Sequence, residues 1–224
     1  MLRAWDRAPA RSIISGDTAR EEPSAVGRVP PNALSPPDKS GGYESYPVPD
    51  TRSYTEMLLP FAITAEPLDV PGLLALAQTR HAAQAARDDV EGPGAVIVFV
   101  GTVRGRHQGQ DVEALTYEAY EPLAVAAFER IASEAAARVP GTVLCLHHRI
   151  GTLAVGEPSI AIVAASAHRA EAYAASRFAI ERVKQIAPVW KREVLRDGAS
   201  WVEGATVHPD DEEPLAEAWR RACR

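Results

Sequence analysis

The chain has 224 residues, of which 46% are hydrophobic and 24% are charged, as expected of a globular protein that buries a core. Its net charge of −6 excludes a protein that binds polyanions over its whole surface, so a nucleic-acid role would need a strong local basic face. No window approaches about 18 consecutive apolar residues, and the N-terminus has no apolar signal-peptide core. We therefore expect neither a transmembrane helix nor secretion.

The two cysteines, Cys145 and Cys223, lie far apart and do not have the spacing of metal ligands. Cys145 falls in an apolar run, where a small buried residue is expected rather than a nucleophile. This cysteine usage fits a protein of the reducing cytoplasm.

Residues 1–56 are predicted to form a disordered tail. They are rich in proline, serine, glycine and charge, and they lack the apolar periodicity needed to offset the entropy of ordering. Four acidic residues between positions 6 and 22 disfavour a transit peptide. Met57 stands where the patterned sequence begins, so we hypothesise that translation starts there and that residues 1–56 are an upstream extension.

Residues 57–224 are predicted to form one domain of strands and helices. A short strand is expected at 61–65, and Asp69 can cap the helix that follows it. Further strands are expected at 95–100, 112–120, 142–150, 159–165, 191–195 and 200–203, further helices at 122–139, 168–187 and 210–221, and turns or loops at 92–94, 101–110, 156–158 and 196–198. This order predicts a mixed α+β fold.

Lysine is nearly absent from the chain, which has 21 arginines and three lysines. Two of the lysines, Lys184 and Lys191, stand seven residues apart around a Pro-Val-Trp sequence. An ammonium can lose its proton when it is buried or crowded by cations, whereas a guanidinium in practice cannot. The pair therefore points to proton transfer or carbonyl chemistry on an anionic substrate. The alternative is that both lysines are ordinary solvated charges.

The predicted helix at 168–187 carries an excess of positive charge. Residues 166–192 include six Lys or Arg and two acids. His168 and Arg169 begin the helix, where free N–H groups favour an anion. Four residues share one face by their spacing, namely Arg169, Tyr173, Ile180 and Lys184. The pattern predicts an anion pocket of phosphate or carboxylate size, and the alternative is surface pairing such as Glu181 with Arg177.

The loop at 101–110 follows a buried strand and resembles phosphate-binding loops in composition only. Neither GxxxxGK[ST] nor GxGxxG is present, so ATP or NAD binding has no support from a motif. Arg104 is the strongest candidate in the loop because the strand before it holds it in place.

Two other groups of residues are interpreted structurally. His147 and His148 are neighbours in a strand and point to opposite faces, so we expect no metal site there. Trp190 and Trp201 are predicted to pack across the last hairpin, either as core or as walls for a flat ring.

Several segments, in order along the chain, resemble the catalytic (large) subunit family of molybdopterin synthase, which acts in molybdenum-cofactor biosynthesis. The likeness covers roughly residues 60–205, so we expect residues 57–224 to be the large-subunit domain. The segments that carry it are GAVIVFVGTVR (94–104), LTYEAY (115–120), HRIG (148–151), SAHR (166–169), KQIAPVWKRE (184–193) and WVE (201–203).

The resemblance implies an α/β hammerhead fold with an additional β subdomain. It also implies a sulfurtransferase that converts cyclic pyranopterin monophosphate into molybdopterin. The sulfur is carried as a thiocarboxylate on the C-terminal glycine of a small ubiquitin-like subunit. The family forms a homodimer with one small subunit on each side, a heterotetramer, and needs no metal or other cofactor at this step. This chain ends without Gly-Gly, so the carrier is expected to be a separate polypeptide.

The resemblance also assigns roles to residues. Lys184 is expected to bind the thiocarboxylate, and Lys191 is expected to be a general acid or base. Nearby cations favour the neutral form of an amine, which general base catalysis needs. The expected substrate-binding residues are Arg104, His168, Arg169 and Phe99. The expected contacts for the carrier's C-terminus are Lys184, Ile180 and Arg192.

The chain departs from the family pattern in two places. Ile180 stands where a more flexible residue such as Met is expected. Gly204 and Ala205 stand where some relatives have an Arg that reaches the neighbouring protomer's pocket, for which Arg106 or Arg149 is a candidate substitute.

Two other functions remain open from the sequence. One is a Schiff-base lysine enzyme acting on a phosphorylated carbonyl compound. The other is a scaffold without activity that only docks the carrier. The presence of both lysines disfavours the scaffold, because docking alone can use Arg.

Overall fold

The structure, a computed structural model, describes residues 58–88, 92–195, 198–202, 204–205 and 207–223. The tail predicted at 1–56, the proposed start at Met57 and most of the turn predicted at 196–198 lie outside these residues. No helix in the described ranges is long and apolar enough to cross a membrane.

The first of two sheets has four strands. Its order is β1 (Phe61–Thr64), β5 (Val143–Arg149), β7 (Pro158–Ser166) and β2 (Ala95–Thr102). β1 runs parallel to β5, and the other neighbours are antiparallel. The continuous apolar runs predicted at β2 and β7 are therefore strands, as expected from their β-branched residues.

Helices cover both faces of this sheet, so its two middle strands are buried almost throughout, and their side chains alternate between the faces. The side chains in the cluster with α1 (Val70–Asp88) are Val143, Cys145, Ala161, Val163 and Ala165. Those in the cluster with α2 (Glu121–Arg138) and α3 (Arg169–Ile186) are Leu144, Leu146, Ile160, Ile162 and Ala164. The core position of Cys145 is confirmed, and burial raises the pKa of its thiol to about 12.

The helix starts are set by local chemistry. The carboxylate of Asp69 accepts a hydrogen bond from the Gly72 N–H at 2.9 Å, which confirms the predicted N-cap of α1. α2 begins at Glu121, one residue earlier than predicted. Pro122 is thus its second residue, where its missing N–H costs nothing.

The second sheet contains β3 (Arg106–His107), β4 (Gln110–Ala119), β8 (Val189–Leu195) and β9 (Gly198–Val202), with β6 (Gly151–Ala154) also paired to β4. The loop predicted at 101–110 is wrong in part, because it contains the β3–β4 hairpin. Its turn residues, Gln108 and Gly109, have φ of 47° and 85°, typical of a two-residue hairpin turn. β6 was missed because it follows β5 after a single residue. Together the two sheets and their helices confirm the expected α+β fold, a hammerhead with an added β subdomain.

The register of β8 and β9 corrects the predicted tryptophan pair. Trp201 lies opposite Arg192 rather than Trp190, and the guanidinium carbon of Arg192 is 5.8 Å from the Trp201 ring centroid. Both tryptophans are exposed. Trp201 therefore packs under a cation instead of against the other ring.

A buried ion pair ties α3 to the rest of the domain. The fully buried Arg182 donates to both carboxylate oxygens of Glu134 in α2, at 2.9 and 3.0 Å. It also donates to the Pro209 carbonyl at 2.6 Å and to the Gln185 side chain at 3.1 Å. This geometry satisfies the guanidinium, as a buried charge requires.

The last helix, α4 (Glu212–Ala222), packs on the outer side of α3. Phe178 stacks on Trp219 with ring centroids 4.0 Å apart. Arg221 pairs with Glu181 at 3.1 Å, so the surface pairing considered between Glu181 and Arg177 is replaced by a contact between helices. α3 is thus held on both sides.

Replacing Arg182 with Leu is expected to lower the free energy of unfolding by about 1–3 kcal/mol, because the largely buried Glu134 carboxylate loses both of its hydrogen bonds from Arg182 and retains its contact with Arg130 at 2.9 Å. Chemical denaturation measures this change. Arg177→Leu is the matched control, since Arg177 is exposed on the same helix, and it is expected to change stability by less than about 0.5 kcal/mol. Equal effects of the two substitutions would contradict the role given to the buried pair.

Candidate functional site

A cavity of about 610 Å³ lies between the two sheets beside the end of α3. Its walls come from the end of β2, the β3–β4 hairpin, the start of β8 and the last turns of α3. Five of the residues proposed from the sequence line it: Phe99, Arg104, Ile180, Lys184 and Lys191.

The two lysines reach this cavity from different elements. Lys184 is in the last turn of α3, which ends at Ile186 before Pro188. The chain then reverses into β8, where Lys191 lies opposite Tyr117 of β4. Within the described part of the chain, neither lysine has an ion-pair partner. Both lysines line the cavity, and no described carboxylate forms an ion pair with either amine.

The charged residues in the wall of the cavity are mainly cationic. Arg104 and Arg106 line it on the hairpin side, and the two lysines line it on the α3 and β8 side. Arg106 forms an ion pair with Asp111 at 3.6 Å, and because both side chains are exposed this contact offsets little of its charge. Glu193 is the one carboxylate among the lining residues that the structure describes. The cavity thus suits an anion of phosphate or carboxylate size.

The floor of the cavity is polar and was not predicted from the sequence. Tyr117 hydrogen-bonds to Ser159, whose hydroxyl donates to the Gly101 carbonyl at 3.3 Å. The rings of Tyr117 and His148 meet edge-on, with centroids 5.1 Å apart. Burial is the main cause that raises the pKa of Tyr117, and the charge of Glu193 adds to it. The alternation of residues along each strand could have predicted which face of its sheet each side chain is on. It could not have predicted that these faces of the two sheets pack against each other.

His148 is neutral in this environment. Burial lowers its pKa from 6.5 to about 4, against the opposing effect of a hydrogen bond to the backbone. That bond runs from Nδ1–H to the Arg149 carbonyl at 2.9 Å and fixes the tautomer. His147 instead bonds the Leu59 carbonyl through Nε2 at 2.7 Å. The neighbouring histidines therefore face different surroundings, as the strand pattern predicted.

Three proposed site residues are not brought to the cavity within one chain. His168 and Arg169 are exposed at the start of α3, and the fifteen residues from Arg169 to Lys184 span about 22 Å of helix. Arg192 points to the other face of β8, towards Trp201. Their expected roles stay predictions.

The three residues that depart from the family pattern, Ile180, Gly204 and Ala205, all line the cavity. Gly204 and Ala205 line it and contribute no charge there. Of the two candidate substitutes for the missing Arg, Arg106 lines the cavity, whereas Arg149 is bound to Glu157 at 2.8 Å. Arg106 is therefore the better placed of the two.

The buried His148 is expected to make the fold acid-sensitive. Because its pKa falls from 6.5 to about 4 on folding, the unfolded chain binds more protons between these values, and stability decreases as pH falls through this window. The loss is about 3 kcal/mol. His148→Phe, which keeps a ring against Tyr117, is expected to remove this part of the pH dependence in urea unfolding. His208→Phe, at an exposed histidine, is the control, and an unchanged pH dependence in His148→Phe would contradict the assignment.

Comparison with known proteins identifies the family. The model of the family described as "MoaE protein" matches residues 64–186. This match covers more than half of the chain and includes Arg104 and Lys184, and it ends five residues before Lys191.

Named relatives agree with this match. The molybdopterin synthase catalytic subunit of Bacillus subtilis is 36% identical over 160 residues, which are 70% of this chain and 95% of the relative. The protein of the same name from Pyrococcus abyssi is 44% identical over 111 residues, 50% of this chain and 75% of the relative.

Solved structures are similar as well. The crystal structure of molybdopterin synthase from Staphylococcus aureus has a TM-score of 0.58 at 35% identity, covering 65% of this chain and 98% of that chain. Molybdopterin cofactor biosynthesis protein E from Burkholderia multivorans has a TM-score of 0.54 at 30% identity, covering 70% and 94%. Sequence, fold and cavity together show that the chain belongs to the MoaE family.

Proposed function

We propose that this chain is the catalytic subunit of a molybdopterin synthase, a sulfurtransferase that forms the dithiolene of molybdopterin from cyclic pyranopterin monophosphate. Its relatives of known name are molybdopterin synthase catalytic subunits. The observation that carries the proposal is that two lysines, neither with an ion-pair partner among the described residues, line one cavity together with two arginines. Sulfur delivery and phosphate binding both present anions to such a site.

Lys184 is proposed to bind the carrier's C-terminal thiocarboxylate. Lys184 lines the cavity and is exposed in the last turn of α3, so a flexible peptide end can reach it from solvent. An ammonium donates hydrogen bonds to the acyl oxygen and stabilises negative charge that develops on it during sulfur transfer. Ile180, one turn earlier, offers an apolar contact for the same peptide end.

Lys191 is proposed to be the general acid or base that opens the cyclic phosphate and removes water. It is half-buried and lies beside Tyr117 on the cavity wall. Arg104 is proposed to hold the substrate phosphate, because a guanidinium fork matches phosphate geometry. Phe99 is proposed to form a flat wall for the pterin.

The partners are a separate ubiquitin-like carrier and a second copy of this chain. His168 and Arg169 are too far from Lys184 to share one phosphate site with it within a protomer. If they bind the same substrate, the neighbouring copy must supply them, so a homodimer with two carriers is proposed. A cytoplasmic location is proposed with it, from the cysteine usage. In this assembly Arg192 is proposed to contact the carrier's C-terminus, and an Arg from the neighbouring copy is proposed to reach the cavity.

The direct test incubates the protein with thiocarboxylated carrier and cyclic pyranopterin monophosphate and assays the dithiolene product. Lys184→Ala is expected to abolish product formation while the fold remains, because the acyl-sulfur group loses its charged partner. Arg177→Ala, on an exposed part of α3, is the control. Near-normal product from Lys184→Ala would refute its role. A stable covalent adduct after borohydride treatment with substrate would instead favour the Schiff-base enzyme.

Lys191→Arg keeps the positive charge but replaces an amine, which can take part in proton transfer, by a guanidinium, which in practice cannot. Product formation is therefore expected to fall steeply, by roughly 10²–10⁴-fold, in steady-state assays. Substrate binding, measured by titration, is expected to change little. Retained activity would mean that Lys191 only attracts the anion electrostatically.

A further inference from the structure

One contact in the cavity wall is not used by the proposed mechanism. Nδ1–H of His107, at the end of β3, donates to Oε1 of Glu193 in β8 at 2.7 Å. The side chain of Glu193 is 9% exposed and that of His107 is 29% exposed. Both residues line the cavity that holds the two lysines. A carboxylate so deeply buried needs a partner, and His107 supplies it.

The contact requires the hairpin to fold over the cavity. In the sheet, His107 pairs with Gln110 and Glu193 pairs with Leu115, five positions further along β4. In a flat sheet this offset would be about 17 Å. The pairing of β4 with β8 is irregular between Val112 and Ala114, which bends the strand there. The bend brings the hairpin, with Arg104 before it and Arg106 within it, towards β8.

Glu193 also has a competing partner nearby. Lys191 is two residues earlier in β8, so both side chains point to the same face, about 7 Å apart along the strand. Without His107, Lys191 is the nearest cation on the same strand that can neutralise the buried carboxylate. An ammonium held by a carboxylate is less available to bind substrate or to transfer a proton.

We propose that His107 is a positioning residue: by binding Glu193 it keeps the Lys191 amine free for substrate and holds Arg104 and Arg106 at the cavity. The proposal rests on the function proposed above. Its two effects, on Lys191 and on the two arginines, can be separated by measuring kcat and KM. Freeing Lys191 acts on the chemical step, so it affects kcat. Holding the arginines acts on binding of the anionic substrate, so it affects KM.

Kinetics of three variants test this division. His107→Leu is expected to lower kcat and raise the KM for the pterin substrate, each by roughly tenfold or more. Adding Glu193→Gln to His107→Leu is expected to restore most of kcat, because a neutral amide no longer competes for Lys191, while KM stays high. His107→Gln, whose amide can still donate to Glu193, is expected to stay within about threefold of the parent. His208→Leu, at an exposed histidine beside Asp210, is the control.

A second measurement does not depend on the reaction. Limited acylation of the folded protein, followed by peptide mass spectrometry, compares labelling of Lys191 with that of Lys184 as an internal reference. The ratio is expected to fall at least about threefold in His107→Leu and to recover in the double variant. Far-UV circular dichroism and thermal melts confirm that each variant is folded.

The two measurements distinguish the ways in which the proposal fails. An unchanged labelling ratio in His107→Leu, or a double variant that does not recover kcat, would overturn it. If the parent protein makes no dithiolene product while the ratio changes as expected, the contact is as described and the proposed function is at fault. A loss of activity that only follows the folded fraction would assign His107 a structural role and would also overturn the proposal.

Discussion

The position of the candidate site depends on the buried pair of Arg182 and Glu134. A guanidinium in the interior is tolerated only when its donors are satisfied, and here Glu134, Pro209 and Gln185 together accept them. This requirement fixes the rotation of α3 about its axis. Residues two positions apart in an α-helix are separated by about 200° around its axis. Because Arg182 faces the interior, Lys184 therefore faces the opposite, open side. The buried Arg182 thus determines on which side of α3 the Lys184 amine lies.

The second determinant is the short reversal between α3 and β8. α3 ends at Ile186 and β8 begins at Val189, so the two-residue connection allows few conformations. β8 is then held by pairing with β4 on one side and β9 on the other. Lys191 is consequently fixed to the sheet while Lys184 is fixed to the helix. A cavity bounded by both elements contains both amines, and its floor is formed by strands of each sheet.

Local patterns in the sequence were enough for much of this arrangement. The apolar run of β2, the Asp69 cap and the bounds of α3 follow from neighbouring residues alone. The closeness of Lys184 and Lys191 was predictable because they are near in the chain. The His107–Glu193 contact and the His148–Tyr117 floor were not, because they join strands that are distant in sequence and depend on a bend in β4. The helix-face argument for Arg169 shows a different limit: residues on one face need not share one site, since fifteen residues separate its ends by about 22 Å.

The carbonyl of Pro209 in the Arg182 network has a consequence for the connection between β9 and α4. An acceptor that belongs to the backbone cannot be lost by replacing a side chain, but it can be displaced by changing the number of residues around it. β9 ends at Val202 and α4 begins at Glu212, so this connection must bring one peptide group to a fixed point behind α3. Surface loops usually accept insertions at little cost. Here the length of the connection is itself constrained, because a shift of one residue would withdraw the oxygen from a charge that water cannot reach.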